Sequence, residues 1–180
     1  MDKSEITKEL KEAYKGFGER VKSLNETEYH AHGDGKWHAG QHMDHIQKSV
    51  DMLSRAMRLP KWFIKWKFGK ANRSSRDYQG LVQRYKERLE MASGNGIDSP
   101  VDTQALNFVE RNTHSAQLMA SINRLARRLD RYSEDELDKM ILPHPLMGKL
   151  TLREMMYFTI YHVKHHHEIV DREVKHIMDE

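Results

Sequence analysis

Apolar residues recur at steps of three and four through most of the chain, the period of a helix that buries one face. Ile6, Leu10, Tyr14, Phe17, Val21 and Leu24 keep to that rule and predict a first helix over residues 4–25; Gly16 and Gly18 weaken it without breaking the period. Residues 30–36, with Gly33 and Gly35, read as a loop. A second helix is expected over 39–57, where Met43, Ile46, Val50, Leu53 and Met57 form the stripe of a helix packed lengthwise in a bundle. Pro60 stops it.

Residues 61–101 are less regular. They hold the aromatic-basic run Trp62-Phe63-Ile64-Lys65-Trp66-Lys67-Phe68, a polar loop at 71–76 and a helix near 78–91, closed by Ser93-Gly94-Asn95-Gly96 and Pro100. A third long helix, over 102–132, carries Ala105, Phe108, Val109, Leu118, Met119, Ile122, Leu125 and Leu129. Ser133 with Glu136 forms a capping box for a short helix, and Thr151 with Glu154 forms a second that opens a final helix to about 178. Between them Pro143-His144-Pro145 forces an extended turn. No repeat, low-complexity tract or strand-like alternation of useful length is visible. The expectation is an all-α chain: four long helices, a short helical insert between the second and third, and one domain over 1–180.

Composition narrows the classes. Hydrophobic residues make up 38% and charged residues 32%, which suits a charged surface over one apolar interior. No stretch approaches the ~18 apolar residues of a membrane span, and the charged start Met1-Asp2-Lys3-Ser4-Glu5 does not resemble a signal peptide. The chain has no cysteine, which excludes disulfides, thiolate metal ligands and a protein-borne thiol nucleophile. A cytoplasmic address is the expectation. Thirty basic against 27 acidic side chains leave a net charge of only +3, too small and too dispersed for a dedicated nucleic-acid surface. Arg124-Leu125-Ala126-Arg127-Arg128 reads as the solvated face of a helix. The run at 62–68 suits a segment that closes one bundle end with its aromatics, although a membrane surface or stacked bases would also match its composition.

The chemistry concentrates in Tyr161-His162-Val163-Lys164-His165-His166-His167-Glu168. His162 and His166 are one helical turn apart and project from one face, the spacing at which a helix offers two imidazoles to one metal ion. They fall on the line Leu152, Met155, Thr159, His162, His166, Ile169 and Glu173, most of it apolar, so both sit where core residues belong. Val163, Val170, Val174 and Ile177 widen that stripe, with His165 and His167 on its flanks. Buried imidazoles are costly unless their nitrogens are satisfied, by a metal or by hydrogen-bonding neighbours. Two familiar metal chemistries are excluded. Val163 stands where a zinc-protease helix carries its glutamate, and Glu173-Val174-Lys175-His176 is the only Glu-x-x-His unit where a di-iron bundle needs two.

The second helix offers a third ligand. His42 and His45 are three apart; His45 adjoins Ile46 on the inward stripe, while His42, nearer the open end, could be solvated. Weak catalytic candidates are Gln41, Tyr157, Tyr161 and His165, and Asp44, Glu168 and Asp171 could orient imidazoles.

Trp37-x7-His45-Ile46, followed more than a hundred residues later by His162-x2-His165-His166, resembles the DinB/YfiT-like superfamily of metal-binding four-helix bundles. So do Leu59-Pro60-Lys61-Trp62 through Phe68-Gly69-Lys70 and the turn His144-Pro145-Leu146-Met147-Gly148-Lys149-Leu150-Thr151, and the resemblance covers essentially the whole chain. It implies a metal triad of His45, His162 and His166, with His165 close to the metal in a non-ligand role. A glutamine usual three residues after the last ligand is Ile169 here. It further implies a divalent transition metal, zinc or nickel, and a small-molecule substrate. Transferases and isomerases using low-molecular-weight thiols such as bacillithiol or mycothiol, metal-dependent hydrolases, and homodimers are all found among such proteins. The alternatives are a non-catalytic metal-binding bundle and an interaction bundle docking through residues 62–70.

Overall fold

The computed structural model describes residues 1–93 and 102–178. Helix α1 (Lys3–Ser23) is fixed at its start by Asp2, whose carboxylate accepts from Glu5 N at 2.9 Å while Asp2 N donates to the Glu5 side chain. A single turn, α2 (Glu26–Tyr29), follows. Then come α3 (Ala39–Ala56), α4 (Lys61–Phe68) and α5 (Tyr78–Ser93). After the 3-10 turn Phe108–Glu110 the chain continues through α6 (Arg111–Leu129), α7 (Glu134–Lys139), the strands β1 (Ile141–His144) and β2 (Gly148–Thr151), and α8 (Leu152–Met178). The all-α expectation holds, with one small hairpin added.

Four long helices make the bundle. α6 packs against α1 and α3, α8 closes the ring against the same two, and α5 lies on α8. Each turns its apolar stripe inward: Ile6, Leu10, Tyr14, Phe17 and Val21 from α1, Met43, Ile46 and Val50 from α3, Leu118, Ile122, Leu125 and Leu129 from α6, and Leu152, Met156, Ile160, Val163, Val170 and Val174 from α8. Removing such side chains from water contributes about 1.5–3 kcal/mol each for the larger ones. Tyr14 also donates its hydroxyl to the Thr159 carbonyl. In the basic run of α6, Arg124 and Arg127 face solvent while Leu125 and Ala126 are buried, as the helical period requires.

Four features depart from the sequence expectations. α2 occupies part of what reads as a loop boundary, capped by Asn25 and Glu28. The third long helix begins at Arg111 rather than 102, because residues just before it are tied down as an extended segment: Gln104 N donates to Asp44 and Lys48 donates to the Asp102 carbonyl. Ala105 and Val109 are accordingly exposed. Around Pro143-His144-Pro145 the chain forms a hairpin, with Leu142 paired to Leu150 and both facing the core. Its turn is held by His144 Nδ1, which accepts from Leu146 N and Met147 N, and by Gly148 at φ +73°, a backbone state that suits glycine. The turn signals at Gly94-Asn95-Gly96 and Pro100 lie outside the described residues.

The aromatic run does not plug the bundle. α4 buries only Ile64; Trp62 and Trp66 are 70% and 75% exposed, with Phe63 between them at ring distances of 5.9 and 5.7 Å. Eight residues give little more than two turns, and α4 meets the core through buried Ile64 and partly buried Phe68. A Trp62→Ser/Trp66→Ser double variant should therefore unfold within about 0.5 kcal/mol of the wild type in denaturant titration; a loss several times larger would restore the plug.

The hairpin end is organised by one carboxylate. Glu154, fully buried at the first turn of α8, accepts from Thr151 N at 3.0 Å and completes the capping box expected there. It also accepts a fork from Arg73 at 2.6 and 2.8 Å, the Arg76 guanidinium at 3.0 Å and Arg76 N at 2.9 Å. The polar loop ahead of α5 is thus fastened to the start of α8.

Candidate metal centre

The geometry of the site begins at the α3 N-terminus. His38 is the capping residue: its Nδ1 accepts from Gly40 N at 3.1 Å, and His38 N donates to the Gln41 side chain. Gly40 is needed for close packing, since an added Cβ would collide with the Tyr29 hydroxyl and lie 2.9 Å from the Leu106 carbonyl. With the helix start fixed, His42 and His45 enter the bundle one turn in, opposite His162 and His166 of α8. All four are buried.

Three ring nitrogens converge. His162 Nε2 lies 3.1 Å from His45 Nε2 and 3.1 Å from His166 Nε2, and one ligand atom from each residue fits within 4.8 Å of the other two. Among the described residues, this is the group able to hold a metal ion. A tetrahedral ion with bonds of ~2.0–2.1 Å separates its ligand nitrogens by about 3.3–3.4 Å, a little more than the two 3.1 Å spacings here. Burial pushes His45 down to about 4, against a partial upward pull from Asp44, and holds His162 and His166 well below the usual imidazole value. The imidazoles are therefore neutral at pH 7, the form that binds metal. With its lone pair free, each of the three Nε2 atoms can serve as a ligand to a cation at their meeting point.

Aromatic rings enclose the cluster. Trp37 stands across His42, His45 and His166 at ring distances of 5.5, 5.2 and 6.3 Å, the last nearly parallel. Phe158 stacks on His162 at 4.8 Å, and His144 of the hairpin packs edge-on against Phe158 at 4.3 Å.

Other expected participants lie elsewhere. His42 is not solvated but buried, with Nδ1 2.7 Å from His166 Nδ1. Its spacing from His45 puts it on an adjacent face, and only the packed position of α8 reveals the contact. Gln41 is occupied in the α3 cap. Tyr157 bonds the first residue, its hydroxyl donating to the Met1 carbonyl. Asp44 accepts from Gln104 N and pairs with Lys48, and Asp171 pairs with Arg20. Glu168 is exposed. Tyr161 stacks on His165 at 5.9 Å beside Tyr85, on the flank of α8; His165 reaches the cluster only as a neighbour, 5.6 Å from the His166 ring. Ile169 is half-buried one turn beyond the cluster.

A family model for the DinB superfamily matches residues 9–170, which include every residue of this cluster. No curated protein and no solved structure matches the chain.

Proposed function

The chain belongs to the DinB superfamily, and on that premise we propose that it is a metal-dependent enzyme whose divalent ion is held by His45, His162 and His166. The convergence of His45 Nε2 and His166 Nε2 on His162 Nε2, each at 3.1 Å, is the observation that carries this reading. Zinc and nickel both suit three imidazoles. Bound there with a coordination position open, such an ion supplies Lewis acidity, lowering the pKa of a water to around 7 or favouring the thiolate of a thiol.

The chain's own residues decide what arrives at that position. With no cysteine anywhere in the sequence, a thiol nucleophile must come with a cosubstrate. The three ligands contribute no negative charge, and the rings of Trp37 and Phe158 surround them. In so apolar a setting the attraction of the ion for an anionic partner, thiolate or hydroxide, is strengthened. We rank transfer of a low-molecular-weight thiol to a small-molecule substrate ahead of hydrolysis, the cosubstrate bringing the thiol that the chain itself lacks. Trp37, half-buried beside the ligands, is placed to control access and to exclude water.

Elemental mass spectrometry on tag-free protein tests the first step. Near one equivalent of zinc or nickel is expected in the wild type, and none in a His162→Ala/His166→Ala variant. A wild type that stays metal-free after incubation with Zn²⁺ or Ni²⁺ would sink the enzyme reading. A loaded protein then goes to a screen for metal-dependent thiol consumption.

A further inference from the structure

His42 lies outside the converging triad, yet it makes the shortest contact in the cluster. Its Nδ1 is 2.7 Å from His166 Nδ1, its ring is 4.9 Å from that of His166, and its Nε2 is buried without a hydrogen bond. A neutral imidazole carries one proton, on one nitrogen or the other. The two Nδ1 atoms therefore share a single proton, and its position decides which nitrogen of His166 keeps a free lone pair.

Two directions are available. If His42 Nδ1–H donates, His166 must carry its proton on Nε2, where it donates to His162 Nε2 at 3.1 Å. That state is a closed hydrogen-bond chain and blocks His166 as a ligand. If His166 Nδ1–H donates instead, its Nε2 lone pair faces His45 and His162, and His42 carries its own proton on Nε2.

We propose that His42 is the positioning residue of the metal centre: it accepts a hydrogen bond from His166 Nδ1 and so fixes the tautomer and ring orientation in which His166 Nε2 binds the ion. The proposal rests on the metal triad proposed above. A carboxylate or carbonyl usually serves as the hydrogen-bond acceptor for a ligating histidine, and losing that acceptor weakens metal affinity 10–100-fold. Here the acceptor is a second imidazole, supplied by α3 one turn before the ligand His45.

The test compares zinc affinity, by chelator competition, in the wild type, His42→Phe and His42→Asn. Phenylalanine keeps a ring of similar size and removes the acceptor; asparagine keeps an acceptor close to the position of Nδ1. A 10–100-fold loss in His42→Phe is expected, with most of it recovered in His42→Asn. Equal affinity in His42→Phe and wild type overturns the proposal, as does equal weakening in both variants with unchanged melting temperatures. Long-range ¹H–¹⁵N correlation on the zinc-loaded wild type needs no variant. It should place a proton on His166 Nδ1 and none on His42 Nδ1, and the reverse would refute the assignment. A wild type that binds no zinc fails the triad itself, whereas tight wild-type binding with an indifferent His42 fails only this inference.

Discussion

A Glu154→Ala chain should be less stable than the wild type by about 3–5 kcal/mol, the loss expected when a buried ion pair is broken. At roughly 2–4 °C per kcal/mol for a chain of this size, its thermal midpoint falls by about 6–20 °C. The reason lies in how much converges on one side chain. Two guanidinium groups and two backbone N–H groups donate to a carboxylate with no exposure to solvent. Alanine leaves Thr151 N without its acceptor and releases the loop that Arg73 and Arg76 hold. Glu154→Gln keeps an acceptor and should fall between the two. A Glu154→Ala midpoint within 1–2 °C of the wild type would mean that this end is organised by packing alone.

The same group gives a pH signature. Burial pushes the Glu154 carboxyl up, but the hydrogen bonds from Arg73, Arg76 N and Thr151 N outweigh it and hold the group below the usual carboxylate range. Its folded pKa is thus lower than its unfolded value of ~4.3. The contribution is complete above that unfolded value and disappears as pH falls through the folded one. The stability gap between wild type and Glu154→Gln, measured by denaturant titration, should therefore be constant near neutrality and shrink below about pH 4.

Zinc should raise the stability of the wild type substantially. An ion that binds only the folded chain stabilises it by about 2.7 kcal/mol at one hundred times its dissociation constant. For a chain of this length that is roughly 5–11 °C in the thermal midpoint. His45→Ala should remove most of the shift, since only the α8 pair remains to bind the ion. Calorimetry with and without zinc, on both chains, decides it; an equal shift in the His45→Ala chain would remove His45 from the triad.

What the sequence made legible follows the length of each periodic run. α1, α3 and α8 are long enough for the three-four step to fix their inward faces, and that step placed His45, His162 and His166 correctly in the interior. The hairpin was hidden because a strand of four residues offers too few positions for alternation, and Pro143 and Pro145 read as a bare turn. The start of α6 was displaced by tertiary hydrogen bonds from Gln104 and Lys48 that no local pattern records. α4 departs from its expected place because composition gives the number of aromatics but not which face the core covers. His42 is the instructive case at the site. Helical spacing put it beside the inward stripe, but its burial depends on α8, and its partner is 124 residues away. Gln41 reads as a catalytic candidate only until His38, an uncommon capping residue, claims its side chain.

His45 and His162 are separated by 117 residues of chain, whereas His162 and His166 are separated by four. As the polypeptide folds, the α8 pair is a local feature, present whenever that helix forms. The third nitrogen arrives only when α3 has docked. An ion held by all three would tie together helices whose ligands stand 117 positions apart in the sequence, and so act as a cross-link in a chain that has no cysteine to make one. Such a tie resists oxidants and reductants alike, yields to a chelator, and closes only around a completed bundle.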